Sequence, residues 1–208
     1  MRSRAAVRAF ILMVLWATVA HAVLDPEPDG LGVCFTPDAN TSDATPGLFM
    51  PFAMYVVLIN PTFPQLHGWQ AAVREADTDV LYVLSSSIPG DGINSGSGLQ
   101  FSVGYDVPRP TSTVTVLASM QVMQVRLVTQ STCLILTGID QPAIPDERPL
   151  VWREPGHPTV VRVSSPFHNA VAATINEGAR IPESPPSRCS FVVDVAQQTW
   201  GALKSLYR

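Results

Sequence analysis

In the stretch "LQFSVGYD" (residues 99–106), Leu99, Phe101, Val103 and Tyr105 alternate with Gln100, Ser102, Gly104 and Asp106. That two-residue period is the pattern of a strand with one face buried and one face wet. Runs rich in branched and aromatic residues recur along the chain: "LGVCF", "PFAMYVVLIN", "WQAAVRE", "VLYVLSS", "TVTVLASMQVMQVRLV", "TCLILTG" and "TVVRV". Between them lie turn-forming clusters such as "TPDANTSDATPG", "NPTFPQ", "PGDGINSGSG" and "EPGHP". Many short strands separated by Gly, Pro and Asp turns predict an all-β chain, an antiparallel β-sandwich. The run "MYVVLI" is apolar on both faces and is expected at the centre of a sheet, and Trp69 is expected in the core. Nineteen prolines agree, because Pro is excluded from helix interiors and central strands.

The two ends depart from this pattern. At the start, "MRSRAAVR" is basic, "AFILMVLWATVA" is continuously apolar, and "AHA" offers small residues for cleavage. Residues 1–22 therefore read as a secretory signal peptide cut after Ala22, since the apolar run falls short of the roughly 20 residues that cross a bilayer. No later run is apolar enough to span, so no transmembrane segment is expected after cleavage. At the other end, Trp200, Leu203, Leu206 and Tyr207 recur at helical spacing behind Thr199, a capping residue. Lys204 and Arg208 suit the last turn of such a helix. So short a helix cannot hold alone in water and must dock, onto its own sandwich or onto a partner. The organisation expected is a signal peptide over 1–22, a β-sandwich domain over 23–190, and a C-terminal segment over 191–208 with a short amphipathic helix.

Charge and cysteines narrow the setting. The formal charge is −4, and it becomes −7 once Arg2, Arg4 and Arg8 leave with the signal peptide. One lysine, Lys204, and no basic cluster make nucleic acid a poor partner, because phosphate binding needs grouped cations. Export predicts one disulfide and one free thiol among Cys34, Cys133 and Cys189, with the pairing open. Their spacing is too wide for a zinc site. "LGVC" faintly matches a lipidation box, but Val33 is too large for that cleavage position.

Catalytic chemistry finds little support in this sequence. "NSGSGL" lacks the G-x-S-x-G spacing of a nucleophile elbow. His67, His157 and His168 all sit beside turn residues and read as exposed loop histidines. Glu75, Asp77 and Asp79, and likewise Asp146 and Glu147, could pair as hydrolytic carboxylates but read as solvated turn acids. Asp91 and Asn94 do not alternate as calcium ligands do, and no phosphate-cradling glycine loop precedes a helix. No catalytic residue, metal or cofactor is assigned. Trp152 and Phe167 lie near turns, where an aromatic ring could stack on a sugar. With Trp200 and Tyr207 of the terminal segment, they are the candidate contacts for a ligand or partner.

The succession "DPEPDGLGVCF", "PFAMYVVLINPTFPQLHGWQ", "GLQFSVGYDVP", "VTVLASMQVM", "PAIPDERPLVW", "VAATINEGARIPES" and "TWGALKSLYR" resembles a group of uncharacterised secreted bacterial β-sandwich proteins. Those chains end in a Trp-Gly…Lys…Leu-Tyr-Arg motif. The strand order, with Gly68-Trp69 opening a strand, also distantly resembles cohesin-type sandwiches and jelly-roll-like carbohydrate-binding modules. The resemblance implies a non-catalytic binding or structural module, secreted or periplasmic, whose partner is a protein or polysaccharide of the envelope or exterior. A carbohydrate-binding module and a secreted hydrolase are the alternatives. No binding residue carries over, because a shared fold does not set a shared site.

Overall fold

The computed structural model describes residues 26–76, 79–127, 132–144, 148–164 and 171–175, and these form strands and connections with no helix among them. The strands are β1 (Gly30–Cys34), β2 (Asp43–Ala44), β3 (Pro51–Ile59), β4 (Gln65–Glu75), β5 (Leu81–Ser87), β6 (Ile93–Asn94) and β7 (Gln100–Pro110). They continue with β8 (Val114–Gln124), β9 (Thr132–Thr137), β10 (Leu150–Glu154), β11 (His157–Val160), β12 (Arg162–Val163) and β13 (Val171–Ile175). A five-stranded sheet runs β12-β1-β3-β8-β5, and an eight-stranded sheet runs β11-β10-β4-β9-β13-β2 with β7 against β4 and β6 against β7.

Most pairs are antiparallel, as the turn spacing predicts, but each sheet takes in one short parallel pair, β1 with β12 and β13 with β2. Both join segments far apart in sequence, so no local turn chemistry announces them. β10 and β13 lie outside the strand runs singled out above. β10 is five residues between prolines, and β13 carries two alanines, which have low strand preference; pairing with β4 and β9 holds them.

The inward faces of the two sheets meet in one core. Leu31, Val33, Met54, Val56 and Leu58 come from one sheet, and Trp69, Phe101, Val103 and Leu136 from the other. Trp69 is fully buried, stacks on Phe101 at 5.2 Å between centroids, and donates its indole N–H to the Tyr105 hydroxyl at 3.3 Å. That bond answers the one polar atom the indole brings into the core. The alternation read in residues 99–106 holds, with Phe101, Val103 and Tyr105 buried.

A second, smaller cluster lies on the outward side of the five-stranded sheet. Cys34, Val57 and Ile59 are buried there with Ala39, from the connection after β1, against Tyr55, Val114 and Val116. This is why "MYVVLI" is apolar on both faces: β3 is the middle strand of its sheet and is covered on each side.

Candidate functional site

The outward face of the eight-stranded sheet brings residues from four strands into one row. Trp152 of β10 is in register with Gly68 of β4, Gly68 with Gly104 of β7, and Gly104 with Ile93 of β6. A side chain at Gly68 would place its Cβ 2.7 Å from the Val103 carbonyl oxygen and 3.6 Å from Cε3 of Trp152. The Val103 carbonyl is what requires glycine there, and the half-buried Trp152 ring lies beside it at ordinary contact distance. Gly104 differs: it is exposed, its φ is not positive, and a Cβ there would meet nothing within 4 Å. Neither backbone nor packing requires glycine at that position. Ile93 closes the row, 66% exposed. The result is a shallow, smooth trough with an indole on one bank and an aliphatic side chain on the other.

Beside the trough the same face becomes polar. Gln70 donates its amide to the Ser102 hydroxyl at 2.9 Å, and its carbonyl oxygen accepts the Ala143 N–H at 3.0 Å. One strand position further, Asp140 accepts from Arg74 at 2.5 Å and from the Gln100 amide at 2.7 Å, while its own N–H donates to Gln100 at 3.2 Å. The Arg74 guanidinium, and after it the Gln100 amide, hold the Asp140 carboxyl below its ordinary range. These bonds tie the 138–144 connection down along one side of the trough.

The candidates named from sequence divide sharply. Trp152 stands in the row; Phe167, Trp200 and Tyr207 lie outside the described residues, as do the signal peptide, the terminal helix, His168, Asp77, Asp146, Glu147 and Cys189. His67 belongs to β4 rather than to a loop, a correction that follows from β4 beginning at Gln65. His157 is exposed at the start of β11. Glu75 accepts the backbone N–H groups of Val80 and Leu81 at 2.8 and 3.0 Å, so its carboxylate braces the turn into β5. Asp91 accepts the Val107 N–H at 3.2 Å, and Asn94 accepts the N–H groups of Gly96 and Ser102, both at 2.9 Å. Cys133 is disulfide-bonded and Cys34 is a free, buried thiol. Burial, reinforced by nearby Asp38, pushes the Cys34 thiol from 9.0 up to about 12, which keeps it protonated and unreactive.

Sequence reasoning missed the row itself. Gly104 falls on the polar face by simple alternation, but its neighbours on β4 and β6 depend on register, which no short motif encodes.

No family model matches this chain, and no curated protein matches its sequence. Among solved structures it is similar to cohesin modules, the distant likeness that its strand order suggests. The sixth cohesin of scaffoldin B from Acetivibrio cellulolyticus, solved with a Cel5 dockerin, is 13% identical over 72% of this chain and 99% of its own, with a TM-score of 0.49. A non-cellulosomal cohesin from the archaeon Archaeoglobus fulgidus is 14% identical over 72% and 90%, at 0.46. A cohesin module of a family 33 glycoside hydrolase from Clostridium perfringens is 7% identical over 65% and 90%, at 0.47. At these values no residue role, ligand or partner passes to this chain.

Proposed function

We propose that this chain is a secreted, non-catalytic binding or structural module of the bacterial envelope or exterior, and that its ligand surface is the outward face of the larger sheet. The observation that carries the reading is Gly104. Glycine within a strand costs about 0.5–1 kcal/mol relative to alanine, and nothing around Gly104 requires it. A strand glycine with open space above it suits a surface that another molecule approaches closely. Trp152 and Ile93 flank it with apolar area, and Ser102, held by the buried Gln70 amide, supplies a polar border. The face is broad and shallow, unlike the concave clefts that take small molecules, and it suits a protein partner. Support for a non-catalytic role comes from Glu75, Asp91 and Asn94, each of which accepts backbone N–H groups and so has a structural use.

One observation favours a polysaccharide as a second reading: a half-buried indole on the same sheet face as the partly exposed Ser102 hydroxyl is a combination a sugar ring can stack on and bond to. The purified chain should be incubated with insoluble polysaccharides, peptidoglycan and envelope protein fractions, and its depletion from solution measured. Saturable binding that Trp152→Ala and Gly104→Arg each abolish, in folded variants, is the expected result. Binding untouched by both would remove this face as the site. Retention by protein fractions or by one glycan decides between the two readings.

A further inference from the structure

The five-stranded sheet has one open edge. β5, seven residues long, stands at the end of the sheet, and among the described residues it pairs only with β8. An edge strand offers a row of unpaired N–H and C=O groups to any extended chain, and folded domains blunt such edges with charge, proline, shortness or cover. The other edges of this molecule are treated in that way. β12, β2 and β6 are two residues each, and β11 is four residues containing Pro158. The free side of β7 is covered by the 91–95 segment, where Asp91 accepts the Val107 N–H and Asn94 accepts that of Ser102. β5, "LYVLSSS", has neither charge nor proline. Its register against β8 shifts between Val83 and Ser85, and the residue at the shift, Leu84, is an aliphatic side chain where a charge would deter pairing.

The chemistry of the edge says what fits it. Its backbone groups are met by an extended strand that is uncharged, free of proline and itself open along one side. Among the described edge strands, β5 alone has those properties. A two-fold axis beside the strand lays β5 of one copy antiparallel to β5 of another, so that free N–H groups face carbonyls and the contact closes at two copies. Charge permits the approach at this place. The chain carries a formal −4, so its copies repel on average, yet β3, β8 and β5 hold no charged side chain. Ser85, Ser86 and Ser87, all exposed, supply hydroxyls that bond across such a junction. Tyr82 and Leu84, 58% and 45% exposed, supply apolar area beside it.

We infer that this chain pairs with a second copy of itself through β5, joining the two smaller sheets into one continuous sheet. A junction of one short strand is small, so the association is weak and reversible, with a dissociation constant on the order of 100 μM. β5 and the proposed ligand trough belong to different sheets, and self-association and ligand capture can each fail without the other.

The test uses the full purified chain. Sedimentation equilibrium is expected to show a monomer–dimer equilibrium that Leu84→Lys weakens about tenfold, because it sets two ammonium groups at the junction. Leu84 belongs to neither core cluster, so the variant is expected to keep the melting temperature of the parent chain. A chain that stays monomeric at about 500 μM overturns the inference, even if it takes up an uncharged extended peptide of other origin. A dimer that Leu84→Lys leaves unchanged overturns it as well. Single cysteines placed in turn at positions 82 to 87 give an independent reading. In a two-fold antiparallel pairing one position stands opposite its own copy, with Cα atoms about 4.5–5.5 Å apart, inside disulfide range. Oxidation is expected to link the dimer fast at that position and slowly at its neighbours. Equal rates at every position, or no linkage at any, would sink the proposal.

Discussion

The two sheets turn different faces to the outside. On the five-stranded sheet, Val57 and Ile59 point away from the main core, yet they are 0% and 3% exposed, packed with Cys34 and Ala39. On the eight-stranded sheet, the outward positions of β4, Gly68 and Gln70, are buried beside the Trp152 ring and the 138–144 connection, and the face opens only at Ser102 and Gly104 of β7. The first face is an extension of the core, and the second is covered over β4 but open over β7 and β6. Alternation along a strand separates inside from outside, but it cannot distinguish an outside that is covered from one that is free.

The largest effect that sharpens this contrast is expected from Ile59→Ala. It should cost about 2–5 kcal/mol in urea unfolding, the range for truncating a fully buried aliphatic side chain, although Ile59 faces away from the sandwich core. A loss below about 0.5 kcal/mol, the range of surface substitutions, would reduce the second cluster to loose cover. Cys133→Ala should cost about 2–4 kcal/mol through loss of its disulfide. Non-reducing peptide mapping is expected to recover Cys133 joined to Cys189 and Cys34 as a free thiol.

Alkaline pH should act on the covered face and spare the open one. The folded Cys34 thiol ionises near 12 against 9.0 ordinarily, so the fold favours its neutral form. That contribution is complete below pH 9 and is lost as pH rises toward 12. The difference in melting temperature between the parent chain and Cys34→Ala should change over that window, with the parent losing ground. A pH-independent difference would mean that the thiol is not sealed in.

On the open face, acid should act weakly. Asp140 has a lowered pKa, so its ion pair with Arg74 contributes above the ordinary carboxylate range and fades as pH falls through and below it. Arg74→Gln should reduce that small dependence, leaving the part due to the Gln100 amide, read from melting curves between pH 6 and roughly 3. The smallest effect, and of opposite sign, is Gly104→Ala, which should raise stability by up to about 1 kcal/mol because the added methyl meets no neighbour. Destabilisation there would place a hidden packing demand on Gly104 and weaken its assignment to a ligand.

Much of the fold was legible because strand periodicity is local. β3, β7 and β8 are long enough for hydrophobic alternation and continuous apolar runs to identify them, and Trp69 is in the core as its neighbours suggest. β2, β6 and β12 are two residues each and exist only through their partners, so no propensity marks them. Of the candidate site, Trp152 was visible as an aromatic near turns, whereas the glycines beneath and beside it were not. Their adjacency requires the register of β10, β4, β7 and β6, drawn from positions tens of residues apart.

What the sequence by itself determined is the class of structure: alternating and apolar runs cut by Gly, Pro and Asp can bury their hydrophobic faces only as packed sheets. It also determined the supply of groups, few cations and three cysteines, from which any chemistry must be drawn. Only the tertiary structure decided which cysteine stays a thiol, which outward face is sealed, and which glycines share a trough. Those outcomes depend on cross-strand register and sheet order, which arise when distant segments pair.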